Sequence, residues 1–136
     1  MHPGNWGVKI AATPNALPPG NEVLFFNVYR ETMLELGRKT YAPNAPSRMN
    51  CIFCCKSEQD AAYYRSKYAP NTKVYAVELV DKSSPIHTAD FEMVVGALAP
   101  TAYASNMLKV ERYWTAGGGT SPELLVGGAI RIMREA

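Results

Sequence analysis

Residues 22–30, EVLFFNVYR, are a nearly unbroken run of aliphatic and aromatic side chains. Under strand alternation Leu24, Phe26 and Val28 share one face and Val23, Phe25 and Tyr29 the other, so the run is expected to be a central strand, apolar on both sides. Such a strand needs a packed layer on each face. A chain of 136 residues, 47% hydrophobic and 19% charged, supplies that as one globular domain and not as two. Arg30 ends the run on the Leu24/Phe26/Val28 side, and the helix formers that follow, ETMLELGRK, predict a short helix closed by Gly37.

The first 21 residues, rich in Pro, Gly, Asn and Ala, read as an irregular lead-in to a domain spanning residues 22–136, with a short strand at residues 7–11. Residues 41–47, YAPNAPS, predict a loop into a strand at 49–55. Ser57 followed by Glu58, Gln59 and Asp60 is an N-cap with acidic residues in the first turn. Ala61, Tyr64, Arg65 and Tyr68 then recur at helical spacing up to Pro70. Residues 73–80 read as a strand with Tyr75, Val77 and Leu79 on one face. Residues 90–98 fit strand or helix equally. Pro100 and Thr101 open a helix carrying Tyr103, Met107, Val110 and Trp114 on one face. The loop TAGGGTSP follows, and then a closing strand ELLVGGAIRI, in which Gly127 and Gly128 mark a bulge or a tight turn. The irregular order of strands and helices, with no repeat, predicts an α+β fold.

Charge and cysteine usage exclude several classes. Fourteen Lys and Arg against twelve Asp and Glu give a net charge of +2, too balanced to imply nucleic-acid or membrane binding by electrostatics. No apolar run reaches the roughly 18 residues of a membrane span, and the N-terminal MHPGNWGVKI lacks the features of a secretion signal, so a cytoplasmic protein is expected. Cys51, Cys54 and Cys55 fall together in CIFCC, which is not a disulfide framework. Its C-x-x-C lacks the remaining ligands of a zinc site, so no metal is expected, and the cysteines read as small apolar residues of a buried strand. No phosphate-binding loop and no G-x-S-x-G nucleophile motif is present. A cysteine hydrolase pairing one of these thiols with His87 stays open as an alternative.

Several segments together resemble the mono-ADP-ribosyltransferase superfamily. They are FFNVYR at 25–30, PSRMNCIFCCKSEQDAAYY at 46–64, KVYAVEL at 73–79, ERYW at 111–114 and SPELLVGGAIRI at 121–132. The resemblance implies a single domain of split antiparallel sheets flanked by helices, NAD as donor substrate, and a macromolecular acceptor, protein or nucleic acid. Small members of this kind occur as toxins and phage effectors, acting in the host cytoplasm when phage-encoded. It assigns Arg30, with Tyr29, to the NAD phosphates or ribose, a role that suits the guanidinium fork. Ser47 and Arg48 open its second motif, whose usual Ser-Thr-Ser is absent here, and Phe53, Tyr63 and Tyr64 correspond to residues lining the nicotinamide site. Glu123 matches the catalytic glutamate, which supports positive charge on the ribose as the glycosidic bond breaks. His87, Asp90, Tyr113 and Trp114 correspond to residues organising the site. Ser121 stands where arginine-modifying members carry Glu or Gln, which leaves another acceptor or plain NAD hydrolysis open.

Each position also has a plain structural reading: capping of the following helix or pairing with Glu31 or Glu35 for Arg30, a turn and a surface charge for Ser47 and Arg48, core packing for Tyr64, an edge-strand carboxylate for Glu123. From these comes a competing class, a non-catalytic binding or inhibitor protein on the same fold. A related enzyme acting on RNA with NAD-like chemistry is a third possibility.

Overall fold

The computed structural model describes residues 22–94 and 103–136, with side chains from residue 25 onward, and in it residues 22–30 are not a strand. They form the first half of a 20-residue helix, α1 (Glu22–Tyr41). Then come a 3-10 turn (Arg48–Asn50), β1 (Ile52–Cys54), α2 (Glu58–Tyr68), β2 (Tyr75–Leu79), β3 (Ile86–Asp90), a second 3-10 turn (Phe91–Met93), α3 (Tyr103–Thr115), β4 (Pro122–Val126) and β5 (Ile130–Glu135). The lead-in, its strand at residues 7–11, residues 95–98 and the Pro100–Thr101 helix opening lie outside the described residues.

Burial explains the correction at α1. Phe25 and Phe26 are 46% and 44% exposed, where a central strand would bury both. Burial falls instead on Glu31, Leu34 and Gly37, at helical spacing. Strand propensity is a weak preference, and the packing of this face against α3 overrides it. Gly37 does not close a helix. A Cβ there would lie 2.1 Å from Val110 Cγ1 and 3.3 Å from Trp114 Cδ1, so glycine is what lets the two helices cross closely. At this crossing the Trp114 indole donates to the Leu34 carbonyl over 2.8 Å.

The strands form two antiparallel sheets, in the orders β1-β4-β3 and β2-β5. The expected single closing strand is therefore two. β4 runs through the centre of the larger sheet, and the chain turns at Gly127 and Gly128 into β5, which pairs with β2 in the other. The expected strand at 49–55 shortens to 52–54, because residues 48–50 turn first. β3 was not expected, since its IHTAD has little of a strand's apolar alternation. The helix over Glu58–Tyr68, capped by Ser57, and the strand over Tyr75–Leu79 match their expectations.

In the larger sheet, Glu123 and Leu125 of β4 lie opposite Ala89 and His87 of β3, and Phe53 of β1 lies opposite Leu125. By alternation these five share one face. That face packs with Leu34, Val110, Tyr113 and Trp114 into the core, and Glu123 sits at one end of it. On α3 burial falls on Asn106, Val110, Tyr113 and Trp114, while Tyr103, expected on this face, is 63% exposed. Among the described residues, no helix is long and apolar enough to cross a membrane.

Candidate functional site

The loop between α1 and β1 is pinned before it delivers Arg48. Arg38 donates to Glu35 through Nε (3.0 Å) and Nη2 (2.8 Å), and its Nη1 donates to the carbonyls of Pro43 (3.0 Å) and Ala45 (3.2 Å). Ser47 donates its hydroxyl to Glu35 (2.8 Å) and accepts from the Met49 amide (3.2 Å), capping the 3-10 turn. Burial would raise the Glu35 pKa, but the bonds from Arg38 and Ser47 and the Arg38 charge prevail and lower it. Held this way, Arg48 points inward and is 3% exposed.

A buried guanidinium must be paired. Arg48 Nε donates to Glu31 Oε2 (2.9 Å) and Nη2 to Glu31 Oε1 (3.3 Å), while Nη1 donates to both the Tyr113 hydroxyl and Glu123 Oε1. Four of its five N–H groups are thus engaged. The Phe53 ring lies 4.7 Å from the guanidinium carbon and the Tyr113 ring 5.2 Å from it, covering the cation with π faces. Burial alone would lower the Arg48 pKa, but Glu123, Tyr113 and Glu31 together push it well above its ordinary value.

Tyr113 closes the cluster by donating its hydroxyl to Glu123 Oε1. Burial, and then the Glu123 charge, outweigh Arg48 and hold this phenol well above its ordinary pKa, so it stays a donor. Glu123, 7% exposed, is therefore gripped at Oε1 from two sides, whereas among the described residues Oε2 takes no part in the cluster's bonds.

Asp90 anchors the loop leading to Glu123. Its carboxylate accepts from the amides of Thr120 (3.1 Å), Ser121 (3.0 Å) and Glu92 (3.1 Å). Glu92 accepts in turn from Tyr68 (2.7 Å), Ser121 (3.1 Å) and Lys67, and these bonds, led by Lys67, lower its pKa to about 2. A Cβ on Gly119 would lie 2.0 Å from Asp90 Oδ2. Because Asp90 is buried and bonded at both oxygens it cannot give way, so Gly119→Ala is expected to cost about 1–3 kcal/mol, read as a lower urea midpoint. A midpoint equal to wild type would show that the loop moves freely.

The sequence profile of a family described only as a protein of unknown function, DUF2441, matches residues 21–136. The chain belongs to the DUF2441 family. No curated protein matches it.

In this DUF2441 chain the residues singled out from sequence divide into groups. Arg48, Phe53, Tyr113 and Glu123 meet in one cluster. Arg30 lies on a helix rather than at a strand end and joins through Glu31, its Nη2 lying 3.0 Å from Oε1. Ser47 supports the loop. Tyr64, 40% exposed, packs with Tyr68 and Phe91 on the α2 side, and its pKa is raised by burial and then by Glu123. Tyr63 is 44% exposed, with Lys67 5.5 Å from its ring. Tyr29 packs against the core and accepts from the Asn106 amide (3.4 Å). His87 stacks on Trp114 with ring centroids 5.1 Å apart. Its Nε2 is buried without a partner, and burial lowers its pKa. Trp114 itself is core, 2% exposed.

Sequence reasoning names Glu31 only as a partner of Arg30, a contact present at 3.0 Å, and misses its bond to Arg48. The signal was a carboxylate three residues before Leu34 on the face that α1 buries.

The cysteines are free thiols. Burial pushes Cys51 up to about 12 and Cys55 up to about 11, and raises Cys54 as well. Thiolate is then scarce near neutrality, and alkylation at pH 8 is expected to be slow in the native protein and complete after unfolding in urea. Fast native labelling would instead reveal a reactive nucleophile. Among the described residues, no group of three or more His, Cys, Asp or Glu is placed to hold a metal ion.

Proposed function

We propose that the chain is an NAD-dependent mono-ADP-ribosyltransferase acting on a macromolecular acceptor. The observation that carries this reading is the meeting of Arg48 and Glu123, with Glu123 held by one oxygen and Oε2 outside every bond of the cluster. A carboxylate immobilised in this way suits a ribose hydroxyl and a positive charge developing beside it. The arginine role passes from Arg30 to Arg48, which is the guanidinium that touches Glu123. NAD supplies an ADP-ribosyl group with nicotinamide as its leaving group.

Each residue then has a definite task. Arg48 Nη1 is the donor that can pass from Glu123 to an oxygen of the NAD ribose or phosphate, and Tyr64, 40% exposed, offers a face for the nicotinamide ring. The ribose C1′–nitrogen bond breaks with its electron pair leaving on nicotinamide. Glu123 stabilises the positive charge left on the ribose, and an acceptor oxygen or nitrogen bonds to C1′ and releases its proton. Ser121 does not supply an acceptor-activating carboxylate, and it is engaged with Asp90 and Glu92. This favours an acceptor other than arginine.

The second reading is a non-catalytic binding protein on the same fold. It draws on the mutual neutralisation of Arg48 and Glu123 at 3% and 7% exposure, the arrangement of a structural ion pair.

The two readings separate in one assay, nicotinamide release from NAD by the purified protein with and without a bacterial lysate as acceptor source. Lysate-dependent release supports the transferase, and release without lysate supports hydrolysis. Absence of both release and NAD binding overturns the enzymatic reading in favour of the binding protein.

A further inference from the structure

The transferase reading uses Arg48 and Glu123 but gives no task to Glu31, the most deeply buried carboxylate of the cluster, at 0% exposure. The two carboxylates hold Arg48 in different ways. Glu31 takes the Nε/Nη2 edge through both of its oxygens, at 2.9 and 3.3 Å, and its Oε1 also lies 3.0 Å from Arg30 Nη2. Glu123 takes only Nη1, through one oxygen that it shares with Tyr113. Among the described residues two cations, Arg30 and Arg48, thus face two carboxylates, and these four charges balance.

We propose that Glu31 is a positioning residue, the permanent counter-ion of Arg48, and that its grip leaves Glu123 as an exchangeable partner. The argument is energetic. With Glu123 as its sole counter-ion, Arg48 would become an uncompensated buried cation whenever Glu123 turned to another partner, and the exchange would be prohibitive. Glu31 removes that penalty, because the Nε edge stays paired whatever Nη1 contacts. Its side-on, two-point contact also fixes the orientation of the guanidinium beside the Phe53 and Tyr113 rings, so that Nη1 keeps its aim. The identity of the exchanging ligand rests on the transferase reading; the division of labour between the two carboxylates does not.

The test follows the Arg48 Nε–H by 15N NMR hydrogen exchange in the full chain, in wild type, Glu123→Gln and Glu31→Gln, with ADP-ribose titrated into each. Protection is expected to survive in Glu123→Gln and to fall about tenfold or more in Glu31→Gln, the equivalent of one charge-assisted hydrogen bond. ADP-ribose affinity should weaken in Glu31→Gln. Equal effects of the two substitutions, or full protection in Glu31→Gln, would overturn the proposal. If Glu31→Gln does not fold, Glu31→Asp, which keeps the charge, and Glu31→Leu/Arg48→Met/Glu123→Leu, which removes the buried cation with both of its counter-ions, are both expected to restore folding. Failure of both would equally overturn it. An absence of ADP-ribose binding in wild type would count against the transferase reading alone, because the exchange data decide the role of Glu31 without it.

Discussion

Arg48→Ala is expected to lower stability by about 3–5 kcal/mol, because it leaves Glu31 and Glu123 buried without the cation they share. Typical domain stabilities are about 5–15 kcal/mol, so this one change is expected to populate the unfolded state visibly in a urea titration followed by circular dichroism. The lost guanidinium stacking on Phe53 adds to the cost. The converse is just as informative. Replacing the buried group as a unit, Glu31→Leu with Arg48→Met and Glu123→Leu, removes the buried cation with both of its counter-ions and is expected to restore most of the loss, since buried ion pairs contribute little net stability against apolar replacements of similar volume. A single Arg48→Ala effect within about 0.5 kcal/mol of wild type, the range of a surface change, would mean that the cluster is hydrated and mobile rather than closed.

The parts of this fold legible in the sequence are those fixed by short-range chemistry. α2 carries its own start signal in Ser57, whose hydroxyl accepts from the Asp60 amide over 3.1 Å, and two acids in its first turn. Nothing distant is needed to specify it. β2 was equally readable from its alternation. The first half of α1 was not, because Phe25, Phe26, Val28 and Tyr29 favour a strand locally, while the helix is set by the crossing of Gly37 and Leu34 with Val110 and Trp114 some 70 to 80 residues away in sequence. The closing segment divides between two sheets for a comparable reason. Its second half pairs with β2, a choice that belongs to tertiary structure.

The site was legible to the same degree. Arg48 and Glu123 stand in recognisable segments, and the structure joins them through β1 and β4. Glu31 stands 17 residues before Arg48 within a run that reads as ordinary helix former, and its role exists only once α1 is in place. Arg30 reads from the sequence as the end of a strand, whereas on the helix its guanidinium pairs with Glu31.

Under the transferase reading, Glu123→Gln is expected to lower the rate of nicotinamide release by about 10²–10³-fold, the range for removing one preorganised electrostatic group from a transition state. The fold should survive. The glutamine carbonyl can still accept from Arg48 and Tyr113 in place of Oε1, and what disappears is the negative charge opposite the developing cation. The loss should therefore fall on kcat rather than KM, because the charge on the ribose exists only in the transition state. Tyr113→Phe offers the complementary case. It keeps the carboxylate and removes one of the two donors that fix Oε1, so a smaller loss of about tenfold is expected, the scale of a single hydrogen bond. Unchanged release in Glu123→Gln would show that this carboxylate is only the partner of Arg48 and takes no part in breaking the glycosidic bond.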